Sequence, residues 1–473
     1  MIDTDRITRL VEAKKDRFVT LADCIWDLAE TRWQEHESMS AQIESIGNEG
    51  FRVETGLAGI PTAFMAEAGT DGPVIAILGE YDALAGLSQA AGSATQTPAP
   101  GNTTGNGHGC GHNLLGTAGL MAAVAVKDYL AANNLPGRVR YYGCPAEEGG
   151  SAKTFMARAG AFADVDAALS WHPGNFNTII AADTLANIQV YFRFTGRASH
   201  AAAAPHLGRS ALDAVELMSV GVNYMREHMP SDARIHYAYT DAGGVAPNVV
   251  QARGEVLYLI RARDLPTMNA LFARVKKIAE GAALMTECAV EVEVDKACSN
   301  ILGNEPLERA MYENLRAIGG PVFDDGDRAA AAPFHATLTE EDIRYDEEDF
   351  GIKLSRSAVL YDDVLPWDGS RIFLPGSTDV GDVSWIVPTA QIWTACYTIG
   401  TPGHSWQLVG QGKLPAAHKG MTQAAKVMAA TAIDAILDPA MLARARADHA
   451  ARIAASPYVC PIPEGVVPPC SRG

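Results

Sequence analysis

The stretch Gly105 to Leu120, written GNGHGCGHNLLGTAGL, restricts this chain more than any other. His108, Cys110 and His112 alternate along a glycine-rich segment, so their side chains can converge on one point, and an apolar, alanine-rich run of helical character follows at once. Thiolate and imidazole are good ligands for zinc-class ions, and the small residues between them let the backbone approach an ion closely. The same residues admit a second reading, a buried thiol beside two hydrogen-bonded histidines, and the rest of the chain has to decide.

A chain of 473 residues has room for two to three domains of ordinary size and a sizeable core. The mean hydropathy of -0.01 argues against a membrane protein. No apolar run reads as long enough to span a bilayer, and the N-terminal MIDTDRITRLVEAKKDRF lacks the apolar core of a signal peptide, so a cytoplasmic protein with no membrane partner is expected. The net charge of -18, from 38 basic and 56 acidic residues, disfavours nucleic acid, because phosphate neutralisation needs a basic surface. Eight cysteines, at 24, 110, 144, 288, 298, 396, 460 and 470, are too dispersed for a disulfide framework and read as reduced thiols.

Residues 4 to 47 carry apolar positions at helical period, which predicts a long amphipathic helix or a helix pair packed on a sheet. Gly72-Pro73 then opens VIAILGEYDAL, an apolar run typical of a buried strand, with Glu80 and Asp82 at its carboxyl end. Carboxylates there lie where open α/β sheets bind ligands, although a strand-end Asp can also cap a turn. A polar loop from Gly86 to Gly107 leads into the histidine and cysteine stretch, whose helix is expected to end near Asn134. GRVRYYGCPAEEGG supplies another strand, stopping at Glu147-Glu148. Adjacent carboxylates at a strand end cannot both face the same way, so one can ligate a metal while the other stays free to move a proton. A helix is expected from Ser151 to Asp164, then a strand ending at His172.

The composition changes near Leu185. From there the order is strand, helix, strand, strand, helix, strand, which predicts a ferredoxin-like module with an antiparallel sheet inserted over 186–300, between catalytic segments 1–185 and 301–473. An acidic, poorly patterned segment runs from Asp324 to Asp368, and the run FLPGSTDVGDVSWIVPTAQIWTACYTIGTPGHSWQ restores strands and carries Asp379, Asp382 and His404. An alanine-rich helix, Lys419 to Leu437, and a proline-rich tail from Tyr458 close the chain. The expected fold class is α/β, a mixed sheet flanked by helices with the inserted module as lid and dimerisation domain.

Taken in order, the motifs CGHN, PAEEGG, a histidine after the next strand, GRASHAAAAPH, STDVGDVSW and TPGHSWQ resemble the aminoacylase and glutamate-carboxypeptidase family of dinuclear metallohydrolases over essentially the whole chain. They are most similar to its branch of p-aminobenzoyl-glutamate hydrolase subunits and indole-3-acetyl-amino-acid hydrolases. The resemblance implies that Cys110 bridges two divalent ions, manganese or zinc, with His112, Glu148, His172 and His404 completing the coordination. Glu147 is implied as general base and acid, and His200 as the residue that reaches the partner subunit's site and stabilises the oxyanion. Asn248 and Arg261 are implied to hold the scissile carbonyl and the substrate carboxylate. Many relatives place a metal-binding His two residues before the strand-end Asp; Glu80 stands there in this chain, so Asp82 is cast as a support for a ligand. His108 is not expected to ligate, and Asp379 and Asp382 read as outer supports or substrate contacts.

The reaction implied is hydrolysis of an N-acyl amino acid, with p-aminobenzoyl-glutamate first, indole-3-acetyl-aspartate second and a dipeptide third. Trp171, Phe176, Trp385, Trp393 and Trp406 lie near motif residues, where they stack on an aryl group or belong to the core. A homodimer is expected if His200 acts across subunits, with a hetero-oligomer containing a sister subunit as the alternative. Two readings come from other classes: a non-catalytic metal-binding subunit, and a thiol enzyme with Cys110 as nucleophile and His112 or His108 as base.

Overall fold

Four parallel strands organise the computed structural model, which describes residues 3–471. They are Val74–Glu80, Arg138–Cys144, Ala167–Gly174 and Thr389–Ala395, at the centre of a seven-stranded sheet. Arg52–Thr55 and Phe64–Ala68 flank them on one side and Thr178–Ile179 on the other, all three through antiparallel pairing. Every residue of Val74–Glu80 is buried, as expected of a strand covered on both faces. Alternation along it separates two cores: Ile75 and Ile77 face one helical layer, while Val74, Ala76 and Leu78 face Phe155, Met156 and Phe162 on the other. Because the four central strands run the same way, their carboxyl ends share one edge of the sheet, with Glu80 level with Cys144 and His172 level with Trp393.

The helix His112–Asn133 packs on the sheet in the first core, beside Pro415–Leu437, which reaches the same strands, and under Lys15–Leu28. Its length and hydropathy would let it cross a bilayer, which corrects the sequence reading that no run is long enough; most of it is buried in the core, and burial on every side is why it is apolar all round. Two glycines allow its close approach. Gly111 turns the chain into the helix at φ +73°, where a Cβ would meet the Tyr397 hydroxyl at 2.1 Å, and a Cβ on Gly116 would meet the Glu80 carbonyl at 2.5 Å.

Residues 186–298 form a separate four-stranded antiparallel sheet in the order Ala289–Cys298, Ala186–Thr195, Arg253–Ala262, Arg234–Asp241. Ile188, Val190 and Phe192 face the helices Ala211–Met225 and Leu265–Thr286. The fold class is therefore the one read from the sequence, a mixed α/β sheet carrying an inserted ferredoxin-like module.

Local differences have local causes. Residues 4 to 47 form three helices, Thr4–Glu12, Lys15–Leu28 and His36–Gly47, because Lys14 leaves helical geometry and Ala29 ends the second helix in the left-handed region. The helix expected from Ser151 to Asp164 is only Ala152–Arg158, ending before Gly160 at φ +82°. The acidic segment holds two helices, Asp325–His335 and Glu340–Phe350, each opened by a capping box, Asp324 with Asp327 and Thr339 with Asp342. A further helix, Pro439–Ala455, follows Leu437. All eight cysteines are free thiols.

Candidate active site

The sheet edge gathers the ligand-type residues. Cys110, His112 and His172 offer ligand atoms that all lie within 4.8 Å of one another, and Cys110, Glu148 and His404 do the same, so the two sets share the Cys110 sulfur. Cys110 Sγ stands 3.3 Å from His172 Nε2, and His404 Nε2 is 3.4 Å from Glu148 Oε2. His404 is at the rim, its side chain 56% exposed, and its backbone is held at φ 56° with its N–H donating to the Gly109 carbonyl. Ala146 and Ser151, around the Glu147-Glu148 pair, also have positive φ, and such strain collects at functional sites.

These residues fit divalent cations. His112 Nδ1 donates to Asp82 Oδ1 at 2.9 Å, and Nε2 is buried without a hydrogen-bond partner, 3.3 Å from Glu80 Oε2. His172 Nδ1 donates to the Pro173 carbonyl at 2.8 Å, turning Nε2 toward the Cys110 sulfur. Glu148 Oε1 is buried without a partner as well, while its backbone N–H donates to Asp82 Oδ2 at 2.9 Å. Asp82 thus holds two of the ligand-type residues at once. Burial pushes the Glu148 carboxyl up to about 8, with His112 opposing and Glu147 adding. Unpartnered ligand atoms and mutually repelling acids are what divalent cations relieve.

Burial, reinforced by Glu148, pushes the Cys110 thiol up, so a thiolate there needs a cation beside it, as a metal ion would supply. His108 faces elsewhere: Nε2 donates to the Ile25 carbonyl at 2.9 Å, and burial lowers its pKa to about 4.

Glu147 lines the cavity beside this centre. Burial raises its pKa above the ordinary carboxylate value, Glu80 adds to the rise, and Lys153 opposes it. Sequence reasoning misses Lys153. It is fully buried, and its Nζ donates to Glu80 Oε1 and to Asp379 Oδ1, both at 2.6 Å, while its backbone N–H reaches Asp379 Oδ2 at 2.9 Å. The signal available was a lysine in the otherwise apolar run AKTFM, which the fold buries from 152 to 157. Glu80 is thereby charge-paired and sits 3.3 Å from His112 Nε2. Asp382 is structural too, accepting from Thr154 Oγ1, the Ser299 backbone and hydroxyl, and the Tyr458 hydroxyl.

A cavity of about 390 Å³ opens from this edge, between the sheet and the inserted module. Of the five aromatic residues considered, Trp171 and Trp393 line it, whereas Phe176 is core, packed on Phe350 and Tyr361. Arg261 lines it as well; its guanidinium donates to Ser377 Oγ at 3.0 Å, and its Nε is buried without a partner. His200 and Asn248 are not brought there. His200 Nδ1 accepts from the Ala202 and Ala203 N–H groups, and the Asn248 carbonyl accepts from Ala201 N–H, on exposed loops beyond Thr195. Arg261 pairs with Asn187 at the other end of the same strand, eight residues from Thr195, roughly 26 Å at the rise of an extended chain.

Residues 76–353 match the profile of peptidase family M20/M25/M40. Over 470 residues, 97% of both chains, the protein is 50% identical to one of the p-aminobenzoyl-glutamate hydrolase subunits of Escherichia coli (strain K12). It is 28% identical to the Xaa-Arg dipeptidase of Mus musculus over 95% of this chain and 92% of that one. The fold is similar to that of an aminobenzoyl-glutamate utilization protein from Klebsiella pneumoniae, with a TM-score of 0.60 at 17% identity, covering 92% of this chain and 98% of the other. With the family profile matched over more than half of the chain and half its residues shared end to end with one relative, the chain belongs to peptidase family M20/M25/M40 and is an amide-bond hydrolase.

Proposed function

We propose that the protein is a cytoplasmic, metal-dependent amidohydrolase that releases glutamate from p-aminobenzoyl-glutamate. The observation that carries this reading is the pair of ligand sets sharing Cys110, set beside Glu147 in a cavity that holds two tryptophans and Arg261. Cys110, His112 and His172 would hold one divalent ion and Cys110, Glu148 and His404 a second, manganese or zinc, and ions so held activate water and polarise the scissile carbonyl. Glu147, raised by burial, takes the proton of the attacking water and returns it to the leaving nitrogen. The Arg261 guanidinium offers a bidentate fork to the α-carboxylate, and Trp393 offers a face for the aryl ring, while Trp171 is buried in the core behind the cavity. The inserted module, 186–300, acts as the lid over the segments 1–185 and 301–473.

Glutamate release from p-aminobenzoyl-glutamate, measured beside aspartate release from indole-3-acetyl-aspartate, tests this on protein stripped by a chelator and reloaded with manganese or zinc. Loss on stripping and recovery on reloading, with the glutamate conjugate cleaved faster, is the expected result. Activity indifferent to the chelator would remove the metals from the reading, and no hydrolysis of either compound would leave a metal-binding subunit.

His200 and Asn248 serve the site of a partner subunit in this reading, because the length of their own strand separates them from Arg261. Glu147→Ala and His200→Ala proteins are each expected to be nearly inactive, whereas co-expression of the two restores about a quarter of the wild-type rate, the share of intact sites in randomly mixed dimers. A mixture no faster than its components would place His200 outside the reaction or in its own subunit's site. The Escherichia coli relative, which by its name is one subunit of a hydrolase, favours a second arrangement, in which the partner is a sister chain.

A further inference from the structure

Lys296 has no part in the chemistry above, yet it occupies the same cavity. The strand Ala289–Cys298 slips register between Val294 and Lys296, which sets Lys296 level with Gln189. Arg261 is level with Asn187 on the other side of that middle strand. Paired residues in antiparallel strands share a face, and so do residues two apart, so Arg261 and Lys296 project from one face of the inserted sheet. That face is turned to the cavity. Two strand spacings and a two-residue offset put their backbones roughly 12 Å apart, and both side chains are long enough to converge on a short diacid between them.

Lys296 is only 6% exposed, and among the described residues its ammonium has neither an ion pair nor a hydrogen bond. That sets it apart from the other buried lysines. Lys153 is held by Glu80 and Asp379, and Lys426 pairs with Glu12 at 2.7 Å. The neighbouring Asp295 does not serve Lys296: its carboxylate accepts from Gln189 and pairs with Arg32 at 3.1 Å. The Lys296 Nζ is not among the enclosed polar atoms left without a partner, so the ammonium opens onto the cavity, where an anion can reach it.

We propose that the anion is the side-chain carboxylate of the substrate: Lys296 pairs with it while Arg261 takes the α-carboxylate, so the cavity selects a dicarboxylic amino acid. This rests on the hydrolase reading above and adds to it the residue that sets the amino-acid preference. A neutral side chain of the same shape leaves Lys296 without its partner, and a site that loses a charge-assisted partner discriminates strongly.

p-Aminobenzoyl-glutamine differs from p-aminobenzoyl-glutamate by one neutral amide, so the two compounds isolate the charge. Wild-type enzyme is expected to prefer the glutamate compound by about 100-fold in kcat/KM, mostly through KM. Lys296→Met should lower the glutamate value toward the glutamine value, collapsing the preference to within a few-fold, while Lys296→Arg keeps most of the preference. Free glutamate should inhibit the wild type and free glutamine should not, a comparison that needs no variant to fold. Equal loss on both compounds in Lys296→Met, a preference that survives it, or equal inhibition by the two amino acids would overturn the assignment while leaving the hydrolase intact. Wild type that cleaves neither compound would sink the hydrolase reading first, and this inference with it.

Discussion

Glu147→Ala is expected to lower kcat for p-aminobenzoyl-glutamate by about 1,000-fold, within the range for losing a general acid and base, while the metal content stays at the wild-type value. The combination matters because Glu148, its neighbour, belongs to a ligand set, and Glu147 itself lies within 4.8 Å of ligand atoms of Glu80 and His112. A variant that lost metal along with activity would make Glu147 a ligand, and one with wild-type turnover would remove it from the chemistry. The pH profile carries a second sign. A base works deprotonated, so kcat/KM should fall as pH drops through a Glu147 pKa that burial and Glu80 hold above the ordinary value. Glu80→Gln removes a charge that raises this pKa and leaves Lys153, which lowers it, in place; the acid limb should therefore move to lower pH. Movement to higher pH would show that Glu80 is not the charge Glu147 feels.

Lys153→Met is expected to destabilise the protein by about 3 to 5 kcal/mol, because removing one partner of a buried ion network strands the charges that remain. Here two carboxylates, Glu80 and Asp379, lose a common cation in a fully buried place. The loss should appear as unfolding at lower urea concentration. Glu80→Gln should cost less, since Lys153 keeps Asp379. A Lys153→Met protein as resistant to urea as the wild type would mean that the carboxylates are protonated in the fold, or that the contact contributes nothing.

Much of the sheet edge was legible in the sequence. Glu80, Glu147-Glu148 and His172 each end an apolar run, and four parallel strands deliver their ends to one place. Cys110 and His112 were marked by glycines, one of which takes a left-handed turn no other residue would make cheaply. What stayed hidden depends on partners far along the chain. Lys153 meets Asp379 across 226 residues, and no periodicity announces that a lysine in a short helix will be enclosed by two acids. Lys296 was equally hidden, because a slip in register, rather than a pattern of residue types, decides which face it takes. The two helices in the acidic segment were masked by composition: charge obscured the apolar period, although their capping boxes were written in the sequence.

The inserted sheet carries Arg261 at one end of a paired strand and the His200 loop at the other. Hydrogen-bonded strands with helices packed along one face move as a single beam. A tilt that brings Arg261 down on a substrate therefore swings His200 through a comparable arc at the far end. If that end rests in a second active site, closing one site repositions a group in the other, and the rates at the two sites become linked. Cooperativity, of either sign, is then a property of the beam's length and stiffness rather than of any residue that touches substrate.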